Sequence, residues 1–143
     1  MHIDGLEDAD IRAILAHTRR VAVVGASANP DRPSYQVARF LVDAGYEVTA
    51  VNPGLAGQTL HGRAVAADLD AAAPIDLVDI FRTSDAVPGI VDAAIRLQAR
   101  TIWMQLGVVH EAAAALAREA GIVVVMDRCP VIETARLRGS RHA

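Results

Sequence analysis

Residues 21–34 read Val21-Ala22-Val23-Val24-Gly25-Ala26-Ser27-Ala28-Asn29-Pro30-Asp31-Arg32-Pro33-Ser34, and the fold turns on them. Four apolar, mostly β-branched residues run straight into a glycine, and a polar loop follows. Then comes a stripe, Val37, Phe40, Leu41 and Ala44, at helical spacing. A strand apolar along its whole length is buried on both faces, which is the habit of parallel sheets covered by helices. The glycine at its end opens a strand-to-helix turn in which backbone N–H groups and the positive end of a helix dipole converge.

The same alternation continues outward. Val48–Val51, Leu77–Ile80, Thr101–Met104 and Ile122–Met126 are further apolar runs. Val87, Ile90, Val91 and Ala94 form a second helical stripe, with Ser84 expected as N-cap and Pro88 in the first turn. Ala113, Leu116, Ala117 and Ala120 form a third, which His110 would begin. A short helix about residues 8–17 precedes the first strand. Residues 52–74 read as a loop with at most a short helix near Asp68–Ala72, and 131–143 as a C-terminal tail. The prediction is one α/β domain over residues 1–143. It has a doubly wound, mainly parallel, five-stranded Rossmann-like sheet with helices on both faces.

Composition narrows the function. The chain has 143 residues, 52% of them hydrophobic but only 3% aromatic, so its core is aliphatic. All 14 basic residues other than histidine are arginines, against 17 carboxylates, for a net charge of −3. That balance argues against a nucleic-acid partner, which calls for a basic face. No apolar run approaches the roughly 18 residues that span a bilayer, and no secretory leader is visible, so a cytoplasmic protein without a membrane partner is expected. Cys129 stands alone, and His2, His17, His61, His110 and His142 show no ligand spacing, so no metal site is expected.

Parallel sheets of this kind bind ligands at the carboxyl ends of their strands. The residues there are Gly25–Pro33, Asn52–Gly57, Phe81–Ser84, Gln105–Val109 and Asp127–Pro130. The first loop is a candidate phosphate site, with Arg32 able to add a charge-assisted hydrogen bond. A plain strand-to-helix turn is the alternative. The dinucleotide fingerprint is broken, because Gly25, Ser27 and Pro30 stand where it has three glycines, and Asn52-Pro53 replace the acidic residue that would hold a ribose. Both departures disfavour an NAD(P)-dependent oxidoreductase.

With Gly25-Ala26-Ser27, Arg32-Pro33-Ser34, Val51-Asn52-Pro53, Phe81-Arg82, Trp103-Met104-Gln105-Leu106-Gly107 and Asp127-Arg128-Cys129 in that order, the chain resembles the small bacterial and archaeal CoA-binding proteins. Their Rossmann-like domain is similar to the nucleotide-binding domain of the succinyl-CoA synthetase α subunit. The resemblance covers about residues 8 to 138. It implies coenzyme A, free or acylated, held over the Gly25 loop and the Asn52-Pro53 turn, with Gln105–Gly107 lining the neighbouring cleft. The residues so assigned are Gly25, Ala26, Ser27, Pro30, Arg32, Ser34, Asn52, Pro53, Arg82, Gln105 and Gly107. It also implies a non-catalytic carrier, sensor or partner subunit, with a protein partner or a homo-oligomer open. The alternative is an accessory chain of an acyl-CoA synthetase. The chain departs from the family pattern where Ala66-Ala67-Asp68-Leu69 replaces a Tyr-x-Ser-Leu stretch and Gly54 replaces a lysine.

Four further residues carry competing readings. Arg82 either meets a phosphate or pairs with Asp85. Trp103 is expected to fill core volume rather than stack on an adenine. Gln105, a polar amide ending an apolar strand, needs a partner that is either ligand or loop. Cys129 lies beside Arg128, whose charge could favour a thiolate able to form a mixed disulfide with a pantetheine thiol; a small residue buried at the sheet edge is the favoured reading.

Overall fold

The computed structural model describes residues 2–140. Its elements run α1 (Asp8–His17), β1 (Arg20–Val24), α2 (Pro33–Asp43), β2 (Glu47–Val51), β3 (Thr59–Leu60), β4 (Arg63–Ala64), α3 (Leu69–Ala72), β5 (Leu77–Ile80), α4 (Val87–Arg96), β6 (Thr101–Met104), α5 (Glu111–Glu119), β7 (Val123–Val125) and α6 (Pro130–Ser140). The five long apolar runs pair in parallel in the order β2-β1-β5-β6-β7, the doubly wound arrangement that the sequence implies.

Alternation along each strand builds two cores. In β1, Ala22 and Val24 face α3, α4 and α5, whereas Val21 and Val23 face α1, α2 and α6. Trp103 is fully buried in the second core, where its indole N–H donates to the Arg128 carbonyl at 2.8 Å. It fills volume and is closed to any ligand. The stripe on α2 ends at Gly45, whose φ of +101° lets the Tyr46 N–H turn back to the Leu41 carbonyl at 3.1 Å.

Three local expectations change. Residues 59–64 form the β3–β4 hairpin rather than loop, and the segment after β7 forms helix α6 rather than a tail from residue 131; residues 141–143, His142 among them, lie outside the described residues. Ser84 does not cap α4, because a 3₁₀ turn over Ser84–Ala86 intervenes and its Oγ accepts instead from the Val109 N–H at 3.1 Å. His110 does cap α5, through Nδ1 accepting from the Ala113 N–H. Among the described residues no helix is long and apolar enough to cross a membrane.

Register is what positions the site. Val24 pairs with Val51 and with Ile80, and Ile80 with Met104, so these strands end level. The residues after them, Gly25, Asn52, Phe81 and Gln105, therefore form one row along the carboxyl edge. Trp103 pairs with Val125, which brings Asp127 level with Gln105. The chain leaves β1 toward β2 by way of α2 on one face and returns to β5 by way of α3 on the other. The crevice where the strand order reverses thus opens between β1 and β5.

Candidate functional site

The turn after β1 depends on Gly25. Its φ is +85°, and a Cβ there would lie 2.7 Å from the Phe81 carbonyl oxygen. Only a residue without a side chain lets β1 and β5 end this close together. One expectation needs correcting. The sequence suggests open amides from Gly25 onward, yet the N–H groups of Gly25 and Ala26 both donate to the Val51 carbonyl, at 3.2 and 3.4 Å. The β1–β2 ladder simply runs on past the end of the strand.

The open amides lie further along. Ser27 Oγ accepts from the Asn29 N–H, the Asn29 side chain accepts from the Asp31 N–H, and the Asn29 carbonyl accepts from the Arg32 N–H, each at 3.0 Å. These turns fold the loop back so that Pro33 takes the first position of α2, where a missing N–H costs nothing. Arg32 precedes it without a side-chain cap. Among the described residues the N–H groups of Ser27, Ala28 and Ser34 have no internal acceptor. They sit at the positive end of the α2 dipole, a setting that favours an anion.

Two clefts flank this row. One, of about 670 Å³, is lined by Gly25, Ala26, Ser27, Arg32, Ser34 and Gly54. The other, of about 610 Å³, is lined by Pro53, Asp68, Leu69, Arg82 and Ile90. Gly25, Asn52 and Phe81 belong to both and form the wall between them. Eight of the eleven residues singled out from sequence are thus brought together. Arg32 and Arg82 are exposed, and among the described residues neither makes an ion pair. The Arg82–Asp85 pair is absent: a hydrogen bond from the Thr83 hydroxyl is the main reason the Asp85 carboxyl lies below its usual range, with Arg82 adding only its charge.

Comparison with known proteins matches the CoA binding domain family to residues 19–135. The chain belongs to this CoA-binding family. It is 40% identical over 121 residues to the protein YneT of Bacillus subtilis, covering 85% of this chain and 89% of that one. A Pyrococcus horikoshii structure is 36% identical, with a TM-score of 0.90 and 96% of each chain covered. A Thermus thermophilus structure is 37% identical, with a TM-score of 0.87, covering 92% of this chain and 99% of that one.

In this CoA-binding domain three of the sequence candidates lie outside both clefts. Pro30 contributes only its carbonyl, which accepts from Gln36 Nε2 at 3.3 Å. Gln105 is buried, and its side-chain amide lies against the Asp79 carboxyl, 2.9 and 3.2 Å from its two oxygens. Its partner is therefore internal. The Gly107 N–H donates to Asp127 Oδ1 at 2.8 Å. Cys129 is buried, and the guanidinium beside it is spent elsewhere: Arg128 donates to both oxygens of Asp4, to Glu133 Oε1 and to the Leu6 carbonyl.

Ala28, Gly54, Leu55 and Phe81, which lie in the edge segments without being singled out, also line the clefts, whereas Leu69, Asp70, Gly89, Ile90 and Ala93 lie outside the edge segments that the sequence indicates. Of the positions that depart from the family pattern, Gly54 and, within Ala66-Ala67-Asp68-Leu69, the last three residues line the clefts. The sequence reading missed Asp79, a carboxylate inside an apolar strand and fully buried. Burial pushes the Asp79 carboxyl well above its ordinary value. That charge in the run Leu77-Val78-Asp79-Ile80 was the available signal.

Proposed function

We propose that this domain holds coenzyme A, or an acyl-CoA, at the carboxyl edge of its sheet, and that it acts as a carrier, sensor or partner subunit without chemistry of its own. The diphosphate lies over the open N–H groups of Ser27, Ala28 and Ser34, with Arg32 and Arg82 supplying positive charge. The observation that carries this reading is the pairing of open amides with two exposed, unpaired arginines in a chain of the CoA-binding family. Discrimination against nicotinamide dinucleotides is supported by Asn52. Its Nδ2 donates to the Ala26 carbonyl and its Oδ1 accepts from the Gly54 N–H, and it has no carboxylate with which to take up both hydroxyls of a ribose diol.

Thermal-shift titration with CoA, dephospho-CoA, NAD and NADP in parallel tests the ligand. CoA is expected to stabilise the fold, by about 2.7 kcal/mol at a hundredfold excess over Kd. Dephospho-CoA is expected to do so less and NAD not at all. A shift with NAD and none with CoA would reverse the reading. Turnover of acetyl-CoA to free CoA by the purified chain would overturn the non-catalytic part.

A further inference from the structure

We infer that the carboxyl edge of the sheet carries a charge gradient that selects acyl-CoA thioesters with neutral acyl groups over those ending in a second carboxylate. The inference rests on the nucleotide reading above and names the class of acyl group that the same site takes.

The positive end of the gradient is at β1, where Arg32 and Arg82 are exposed and unpaired. The far end, after β6 and β7, holds among the described residues an arginine and a histidine, and both are engaged within the fold. The Arg128 side chain is 1% exposed and spent on Asp4 and Glu133. His110 is spent on capping α5, its Nδ1 accepting from the Ala113 N–H. What this end shows to solvent is the Asp127 carboxylate, resting on the Gly107 N–H, and beside it the Leu106 side chain, 56% exposed.

Register gives the distance. Gly25, Phe81, Gln105 and Asp127 occupy successive strand positions, each step ~4.8 Å, so about 14 Å separates the ends. Coenzyme A has a matching asymmetry, with its phosphates at one end and an uncharged pantetheine arm at the other. An extended arm outreaches three strand spacings. With the diphosphate at the α2 terminus, the thioester arrives at Leu106 and Asp127. A short neutral acyl chain there covers Leu106. A succinyl or malonyl carboxylate instead meets Asp127, which has no ion-pair partner among the described residues, and like charges in contact repel even where solvent reaches them.

Calorimetric titration of the full chain with CoA, butyryl-CoA and succinyl-CoA, on the wild type and on Asp127→Asn, tests this. Asparagine keeps an acceptor for the Gly107 N–H and suits the left-handed backbone at this position, where φ is +58°. Butyryl-CoA is expected to bind wild type about tenfold more tightly than succinyl-CoA, and the ratio to fall below about threefold in the variant. A second variant on the exposed surface, Leu106→Arg, is expected to turn the preference toward succinyl-CoA. Equal binding of both thioesters by the wild type would overturn the inference while leaving CoA binding intact, and so would an unchanged ratio in both variants. Failure of all three ligands to bind would instead overturn the nucleotide reading beneath it.

Discussion

Asn52 fastens the loop after β1 to the loop after β2: its Nδ2 donates to the Ala26 carbonyl at 2.8 Å while its Oδ1 accepts from the Gly54 N–H at 2.8 Å. The residue is a brace for both clefts, and the shape of the anion-binding turn depends on it. Asn52→Ala removes both bonds and is expected to lower stability by about 1–3 kcal/mol. CoA affinity should fall with it. Asn52→Asp keeps an acceptor for Gly54 but sets a carboxylate oxygen against the Ala26 carbonyl, so it should not rescue binding. Urea unfolding and calorimetry of both variants check this; wild-type affinity in Asn52→Ala would show that the brace is dispensable.

Gly25 is a sharper test of the close approach between β1 and β5. A methyl group there meets the Phe81 carbonyl oxygen at 2.7 Å from a backbone with φ of +85°. Neither term can relax without moving β5. Gly25→Ala is expected to cost about 1–3 kcal/mol from backbone conformation alone, with the steric contact adding to it. The urea midpoint should fall visibly, and CoA should bind weakly even to the folded fraction.

How far the sequence could be read follows from what determines each feature. Strands such as Val21–Val24 and Ile122–Met126 announce themselves because burial on both faces demands unbroken apolar runs, and the glycines and prolines between them mark the turns. The β3–β4 hairpin has two residues per strand, too few for any period to show. Helix α6 buries only Pro130, Glu133 and Leu137 among its described side chains, so no apolar stripe betrays it. The position of the carboxyl edge is legible because strand ends, not side-chain details, fix it. Hydrogen-bond partners were not legible. Whether Gly25, Gln105 or Gly107 keeps its polar group free depends on Val51, Asp79 and Asp127, residues 26, 26 and 20 positions away that only the register brings near.

Arg32 is predicted to act through its charge alone, since its side chain neither caps α2 nor, among the described residues, pairs with a carboxylate. Arg32→Ala should leave the urea midpoint nearly unchanged yet weaken CoA by about 1.5–3 kcal/mol, the range for hydrogen bonds to charged groups. The loss should shrink as salt rises, because phosphate contacts with exposed cations are screened. Calorimetry at low and high ionic strength reads both effects. Unchanged affinity would remove Arg32 from the site.

The Arg128 cluster ties the N-terminal segment to the end of β7 and to α6. Burial pushes the Asp4 and Glu133 carboxyls up, but hydrogen bonds from Arg128 to Asp4, from Arg136 and Arg128 to Glu133, and from the Leu6 and Met126 N–H groups to Asp4 outweigh it and hold both below their usual values. Their contribution is therefore full above about pH 4 and is lost as the pH falls through the lowered values. Arg128→Met leaves two buried carboxylates without their shared cation and should cost about 3–5 kcal/mol near neutrality. In that variant the carboxyls can shed their charge by taking up protons, so the deficit should narrow in acid. Urea midpoints of variant and wild type compared between pH 3 and 7 check the sign; a gap that widened in acid would contradict it.

Asp79 reverses that pH dependence. It lies in β5 between Val23 and Trp103, fully buried, with burial raising its carboxyl well above the usual value. A raised value means that the folded chain holds the proton more tightly than the unfolded one. From about pH 4 upward, until the folded value is passed, stability must then fall, by up to about 1.4 kcal/mol per pH unit. Asp79→Asn has no proton to hold and keeps a polar partner for the Gln105 amide. Its stability should match wild type near pH 4 and exceed it increasingly as the pH rises toward the folded value. Urea midpoints of the two proteins measured across that range decide the matter, since curves that stayed parallel would mean that Asp79 titrates as an ordinary carboxylate.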